Sequence, residues 1–296
     1  MIIVTGGAGF IGSNLIKELN RRSITNILVV DNVNTDNEHN LNNLVFADLV
    51  PTNKFYGSFD SWHKIDAVFH EGAISSTTET NQNLIDQYNL QPSYWLIDKA
   101  DQYGFKLSYA SSASVYGDVM TFKETQPLNP KSLYAIGKMR VDQYAQSMLL
   151  DNPNCIIQGW RYFNVYGNNE THKKDQASPI TKFCSQAKIT GEIKVFKGSE
   201  NFLRDFICVD DIVNIKLSIL EKEFKGIVNL GTGTARSFLS IAEAVAKKYS
   251  SQIVEIDFPQ NLLAQYQKYT CANTDTLSTL VGNYKFKTVE SFLLDQ

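Results

Sequence analysis

The chain has 296 residues, 43% of them apolar and 20% charged, and 28 Lys and Arg against 31 Asp and Glu leave a formal net charge of −3. That is ordinary for a globular protein able to build one large α/β unit or two lobes, and with no block of like charge it disfavours nucleic acid or an anionic membrane as partner. The four cysteines are widely spaced with no CxxC pair, which fits reduced thiols in a cytoplasm better than a disulfide framework or a zinc site. No apolar run approaches the roughly 20 residues of a membrane span. The N-terminus opens straight into Ile2-Ile3-Val4, with no basic region or cleavage site to suggest a signal peptide.

Met1 to Val4 is an apolar run rich in β-branched residues, as a strand covered on both faces would be. Gly7, Gly9 and Gly12 follow in GxGxxG spacing. The first glycine is expected to make a tight turn, the second to let backbone approach a pyrophosphate, and the third to let helix sit close on strand. The helix over Ser13–Asn20 then turns its free N–H groups and positive dipole end to the phosphates. A second strand, Ile27–Val30, ends in Asp31-Asn32, where a ribose-binding acid belongs. An acid there argues for NAD, while Asn32 and a nearby cation such as Lys54 could accommodate the 2′-phosphate of NADP; these residues leave both open. A third strand is expected at Leu44–Ala47, ending at Asp48 within reach of the adenine edge. A fourth, Ala67–His70, runs into Glu71-Gly72-Ala73, a small-residue turn that lets backbone pass close to a cofactor. Beyond it, Ser75, Ser76 and Thr77 open a polar cluster where open α/β sheets bind ligands.

Asn83–Gln102 has helical periodicity, with Pro92 expected to bend it. The fifth strand, Lys106–Ala110, delivers Ser112 to the ligand side of the sheet. Asn129-Pro130 sets a turn before a helix bearing Tyr134 and Lys138, which are four apart and share one face. An ammonium beside a phenol favours the phenolate and is expected to pull the Tyr pKa below its ordinary value of about 10, giving a base for an alcohol proton. Ser112 could hydrogen-bond the same substrate oxygen. A sixth strand, Ile156–Phe163, ends at Asn164, a candidate substrate contact. Past Gly167, Lys173, Lys174 and Lys182 suit either an anionic sugar nucleotide or a solvated face. Arg204 could fork onto a diphosphate, and Phe196 could stack on a base or fill a core. Val209 opens a further helix, Ile227–Gly233 reads as strand and glycine turn, and Ser237–Tyr249 as an amphipathic helix. With no HExxH, nucleophile elbow or paired carboxylates, no metal is expected.

Thr5-Gly6-Gly7-Ala8-Gly9-Phe10-Ile11-Gly12, the Ser112/Tyr134/Lys138 set and Arg161-Tyr162-Phe163-Asn164-Val165-Tyr166-Gly167 resemble the extended short-chain dehydrogenase/reductases that act on nucleotide sugars. His70-Glu71-Gly72-Ala73, Ser75-Ser76-Thr77-Thr78-Glu79, Phe196-Lys197-Gly198-Ser199-Glu200-Asn201-Phe202 and Arg204-Asp205-Phe206 resemble the branch of that family that epimerises an ADP-linked heptose. The resemblance covers nearly the whole chain. It implies an α/β fold: a Rossmann-type doubly wound parallel sheet with a smaller, discontinuous α/β substrate-binding lobe. Residues 1–167 would form the dinucleotide domain, with roughly 205–233 and 269–278 returning to it, and 168–204, 234–268 and 279–296 the substrate lobe.

The same resemblance makes Tyr134 an acid/base group, Lys138 its cofactor-bound partner, Ser112 the hydroxyl orienter and Lys173 a second acid/base. Phe10, Ile11, Asp31, Asn32 and Asn89 would line the cofactor. Asn164, Val165, Asp175, Lys182, Phe196, Gly198, Ser199, Arg204 and Tyr266 would line the ADP-sugar site. The implied enzyme is a cytoplasmic, homo-oligomeric epimerase that inverts C6 by transient oxidation with bound NADP, NAD being the alternative cofactor and another NAD(P)-dependent nucleotide-sugar epimerase or reductase of the family the alternative function. A dehydratase is argued against by Ala113 and Ser114, which stand beside Ser112 where such enzymes need acids.

Overall fold

A computed structural model describes residues 1–58, 64–259 and 267–296. Packing divides the chain into two units: Met1–Gly117, Pro127–Arg161 and Val213–Val228 in the first, Asp118–Gln126, Tyr162–Ile212 and Asn229–Gln296 in the second. These boundaries differ from the expected ones. Residues 162–167, 205–212, 229–233 and 269–278 all pack with the second unit, where Asn229 donates its amide hydrogens to the Phe122 and Asn273 carbonyls.

Strands β1 (Ile2–Thr5), β2 (Ile27–Val30), β3 (Asp48–Val50), β4 (Ala67–His70), β5 (Lys106–Ser112), β6 (Ile157–Tyr162) and β10 (Gly226–Leu230) form a seven-stranded sheet. Its order is β10-β6-β5-β4-β1-β2-β3. The pairings from β5 across to β3 are parallel. Strands β2 and β4 are buried at every residue, as a parallel sheet covered on both faces requires, and their sequences are unbroken apolar runs for that reason. On one face Ile3, Leu28, Val68 and Leu107 meet Leu96, Ile97, Val141 and Ala145. The third strand lies later than expected. Asn20 bonds both backbone groups of Val45 through its carboxamide, so Val45 is held out of the ladder and is 56% exposed.

Helix α1 (Phe10–Arg21) follows β1, and α2 (Thr52–Ser58) follows β3. Between β4 and β5, α3 (Gln82–Ile85), a π-helical turn (Asp86–Leu90) and α4 (Gln91–Tyr103) run on continuously. Pro92 sits in the first turn of α4, where its missing N–H is tolerated. Helix α5 (Leu133–Asp151) starts at Ser132, whose hydroxyl accepts the Ala135 N–H at 3.2 Å, an N-cap of the usual kind. Asp142 ties α5 to the sheet: its carboxylate accepts the Tyr109 hydroxyl at 3.0 Å and Arg161 Nε at 2.8 Å, all three side chains being buried.

In the second unit, β7 (Asn164–Tyr166), β9 (Leu203–Cys208) and β11 (Ala235–Ser237) form one small sheet, and β8 (Glu192–Phe196) pairs in parallel with β12 (Gln252–Ile256). Helices α6 (Pro179–Thr190) and α8 (Phe238–Tyr249) pack on these strands around Ile180, Phe183, Ile193, Phe206, Ile241 and Val245. Helix α7 (Val209–Leu220) follows β9 and runs from the second unit back into the first.

Candidate active site

The turn after β1 is made at Gly6, whose φ of +67° and whose near contact with the Gly72 backbone, 2.6 Å from any Cβ, exclude a side chain. Gly6, one place before the expected Gly7, is therefore the turn glycine; Gly7 instead packs on Val29 and Ile16. A Cβ on Gly12 would lie 2.2 Å from the Gly6 carbonyl oxygen, so the third glycine is what lets α1 start directly against the turn. Gly9 is the residue before α1, and the Gly6 oxygen lies 3.0 Å from where a Cβ on it would stand. The first turn of α1 contains no acid, which leaves its positive end available to an anion. Phe10 is buried and Ile11 half-buried beside it.

Asp31 closes this loop. One carboxylate oxygen accepts the Ala8 N–H at 2.9 Å and the other the Asn32 N–H at 2.8 Å, while Asn32 Oδ1 accepts the Thr52 N–H. A cleft of about 700 Å³ opens here, lined by Thr5, Gly6, Asp31, Asn32, Thr52, Tyr56, His70, Gly72, Ala73, Gln87 and Trp95 among others. The glycine cradle, the anchored acid and a cleft of ligand size fit a dinucleotide. Three expected cofactor contacts lie elsewhere. Asp48 begins β3, at the opposite end from the cleft, because the strand runs later than expected. Lys54 is exposed on α2 and is not part of the cleft lining. Glu71 turns away to a buried ion pair with Lys216 of α7. Asn89 is buried, with its carboxamide bonded to both backbone groups of Ile74, so it shapes the loop after β4.

His70, which the sequence marks only as part of a motif, is an organiser. Ser93 donates its hydroxyl to the Asn89 carbonyl at 2.6 Å, so His70 Nε2 donates to Ser93 and Nδ1 accepts from Thr5. Burial, with Lys138 and Lys216 nearby, pushes its pKa down to about 3; the imidazole stays neutral and joins β1 to α4 behind the cleft.

Ser112 stands at the end of β5, on the sheet edge where β1, β2 and β4 deliver Gly6, Asp31 and Gly72. Its oxygen accepts the N–H and the hydroxyl of Ser114 at 3.2 and 2.9 Å, which directs its own hydrogen to Tyr134. Lys138 is buried and donates to the Ala110 carbonyl at 2.6 Å, with Nζ 5.8 Å from the Tyr134 ring centroid. The expected fall in the Tyr134 pKa is absent. Burial pushes it up to about 12, opposed by the Ser112 bond. Burial also lowers Lys138, to about 8, against the pull of Glu71 and Asp142. Ser75 and Thr77 are exposed and Ser76 half-buried on the loop beyond β4.

In the second unit, Lys173 sits in the 3-10 turn Thr171–Gln176, its pKa lowered by burial although Glu170 lies 4.0 Å away. Glu170 accepts Ser178 N, Ser178 Oγ and Thr181 Oγ1 at 2.6–2.7 Å; nothing in its sequence neighbourhood marked it. Lys182 donates to the carbonyl of the exposed Asp175. A second cavity, about 350 Å³, is walled by Phe196, Phe202, Phe238 and Phe258 and edged by Lys182 and Lys194. Ser199 lines it with a buried hydroxyl that has no hydrogen-bond partner among the described residues, and Gly198 (φ +79°) makes the turn before it. Arg204 departs from expectation: it is 8% exposed, donates to the Leu203 and Gln267 carbonyls and stacks over Phe238. Its donors hold backbone. Asn164 and Val165 are half-buried on β7, and Tyr266 lies outside the described residues.

A nucleotide-fitting cleft and a Ser-Tyr-Lys set on one edge of a parallel sheet define a nicotinamide-dependent enzyme. The model of the NAD dependent epimerase/dehydratase family matches residues 2–231, and the chain belongs to that family. The chain is 42% identical over 287 residues to the ADP-L-glycero-D-manno-heptose-6-epimerase of Brachyspira hyodysenteriae, covering 94% of this chain and 90% of the relative. The crystal structure of Helicobacter pylori ADP-L-glycero-D-manno-heptose-6-epimerase superposes with a TM-score of 0.87 at 27% identity, covering 99% of this chain and 94% of that one. At fold level alone, Thermus thermophilus UDP-glucose 4-epimerase in complex with NAD matches with a TM-score of 0.83 at 24% identity, over 99% and 96% of the two chains.

Proposed function

We propose that this protein inverts C6 of ADP-D-glycero-D-manno-heptose to give ADP-L-glycero-D-manno-heptose. The reading is carried by the Ser112–Tyr134–Lys138 geometry in a chain 42% identical to an enzyme of that name. When bound, the nicotinamide supplies the acceptor for the C6 hydride and returns the same hydride, so no cofactor is consumed. Ser112 holds the C6 oxygen in register, and Tyr134 takes its proton as the carbon becomes a ketone. Lys138 stabilises the charge that develops on the phenol side. Rotation of the exocyclic carbon exchanges the faces of the ketone, and Lys173, with its pKa lowered, is suited to return a proton for the opposite configuration. The phenylalanine-walled cavity is suited to the substrate's base, its buried Ser199 hydroxyl to a ring nitrogen, and its two lysines to the diphosphate. On this reading the first unit is the dinucleotide domain and the second the substrate lobe.

NAD, rather than the NADP first expected, is the better-supported cofactor. The Asp31 carboxylate lines the cleft and neither Lys nor Arg is among its described lining residues, so a 2′-phosphate would meet repulsion from Asp31. A cytoplasmic location, in keeping with four free cysteines, and homo-oligomeric assembly are part of the proposal. The test is turnover of the ADP-heptose by purified enzyme holding only its own nucleotide, with that nucleotide extracted and identified by mass spectrometry. Inversion without added cofactor is expected; a stoichiometric requirement for NADH or NADPH would overturn the epimerase reading, and extracted NADP the cofactor choice.

A further inference from the structure

The turn that carries Lys173 is fastened by one carboxylate. Glu170, 1% exposed at its side chain, precedes the 3-10 turn Thr171–Gln176. Its Oε1 accepts the Ser178 N–H at 2.6 Å, and its Oε2 accepts the hydroxyls of Ser178 and Thr181, each at 2.7 Å. Ser178 is in turn the N-cap of α6, accepting the Thr181 N–H at 3.3 Å. These bonds tie the residue before the turn to the helix after it. They span a kink at Lys174, whose φ of +50° is a backbone conformation that favours glycine. Such a conformation persists only where the surrounding bonds over-determine it. Inside this clamp, the Glu170 carboxylate stands 4.0 Å from Lys173 Nζ, and the Lys173 side chain is 25% exposed. Burial disfavours the Lys173 ammonium, Glu170 favours it, and Lys182 of α6 disfavours it. His172, Lys174 and the exposed Asp175 share its turn.

We propose that Glu170 is a positioning residue for Lys173: fastened to the start of α6, its buried carboxylate sets the turn that presents Lys173 and holds that side chain as an ammonium able to return a proton to the substrate oxygen. One carboxylate thus joins two tasks, bracing a strained turn and supplying the charge that opposes desolvation of the amine. The inference rests on Lys173 being the second acid/base group.

Only the neutral amine of a lysine is acylated. Competitive labelling with acetic anhydride across pH, resolved to the residue by tandem mass spectrometry, therefore reads the protonation midpoint of Lys173 in the purified enzyme, with thermal melts confirming that each variant is folded. Glu170→Gln keeps the shape of the side chain and is expected to lower that midpoint by about one pH unit, the scale of a facing opposite charge. Glu170→Asp, which keeps the charge, is expected to lower it by less. A merely structural part for Glu170 predicts the opposite sign, because a loosened turn would wet the ammonium and bring its midpoint up toward the ordinary value. In turnover, the ratio of E170Q to wild-type kcat is expected to fall as pH rises, to about one tenth above both midpoints, since only the protonated amine can return the proton. A midpoint that stays or rises in folded E170Q would overturn the proposal. If E170Q does not fold, Lys173→Met decides. Coupling between two sites is reciprocal, so removing the ammonium is expected to raise the Glu170 midpoint by about one pH unit, read by carboxyl NMR of glutamate-labelled enzyme. An unmoved Glu170 would overturn the proposal. A lowered Lys173 midpoint with a kcat ratio flat in pH would overturn the part in turnover and count against Lys173 as proton donor, whereas an unmoved midpoint in an active enzyme counts against Glu170 alone.

Discussion

Replacing Asp142 by Asn keeps the side chain's shape and removes its charge. The carboxylate is 1% exposed and Arg161 2%, with Tyr109 donating to the same carboxylate and Arg161 reaching the Tyr116 hydroxyl at 2.9 Å. The D142N variant would therefore remove the carboxylate that faces a buried guanidinium, at a cost of about 3–5 kcal/mol. Against a typical total of about 5–15 kcal/mol this is a large fraction. At about 2–4 °C per kcal/mol for a unit of this size, melting should fall by about 6–20 °C. Urea unfolding reads the loss directly, as a lower midpoint at an unchanged m value. The partner experiment is Asp142→Leu with Arg161→Met, which buries no charge and should recover most of the stability. A loss under about 1 kcal/mol in D142N, or a double variant as unstable as the single one, would refute the idea that charge pairing, rather than packing, fastens α5 to β5 and β6.

Tyr134→Phe should retain fold and cofactor but lose roughly 10²–10⁴ in kcat, the range of general acid–base catalysis; a rate within tenfold of wild type would remove Tyr134 from the mechanism. Gly12→Ala places a methyl 2.2 Å from the Gly6 oxygen and 2.8 Å from Gly7 Cα. Because both neighbours are backbone, nucleotide retention after purification should fall at least about tenfold as the turn is pushed open, and wild-type retention would contradict the cradle geometry. The lowered Lys138 pKa also has a consequence for stability. Burial takes it from 10.5 in the unfolded chain to about 8, so between those values the unfolded state binds the extra proton and stability rises with pH. Above 10 the raised Tyr134 pKa acts in the opposite sense. Unfolding measured between about pH 8 and 10 should thus climb more steeply in wild type than in Lys138→Met; equal slopes would mean that Lys138 is not desolvated.

Local order is legible wherever function depends on spacing along one element. The glycine turn with Asp31 one strand later, and Tyr134 and Lys138 one helical turn apart, follow from the chain's short-range geometry alone, and so does Ser112 at a strand end. What the tertiary structure alone decided is which polar groups were left for ligands. Glu71 and Lys216 stand 145 positions apart, and their pairing removes an acid whose place in the sequence points to the cofactor. Arg204 has the right chemistry for a diphosphate, yet two backbone carbonyls and Phe238 claim its fork. The Tyr134 pKa moves against expectation for a related reason. Adjacency on a helix is encoded locally, whereas desolvation depends on everything packed around the group. Sequence thus sets which chemistry each residue can offer, and burial and long-range partners decide which of those offers remain open to a ligand.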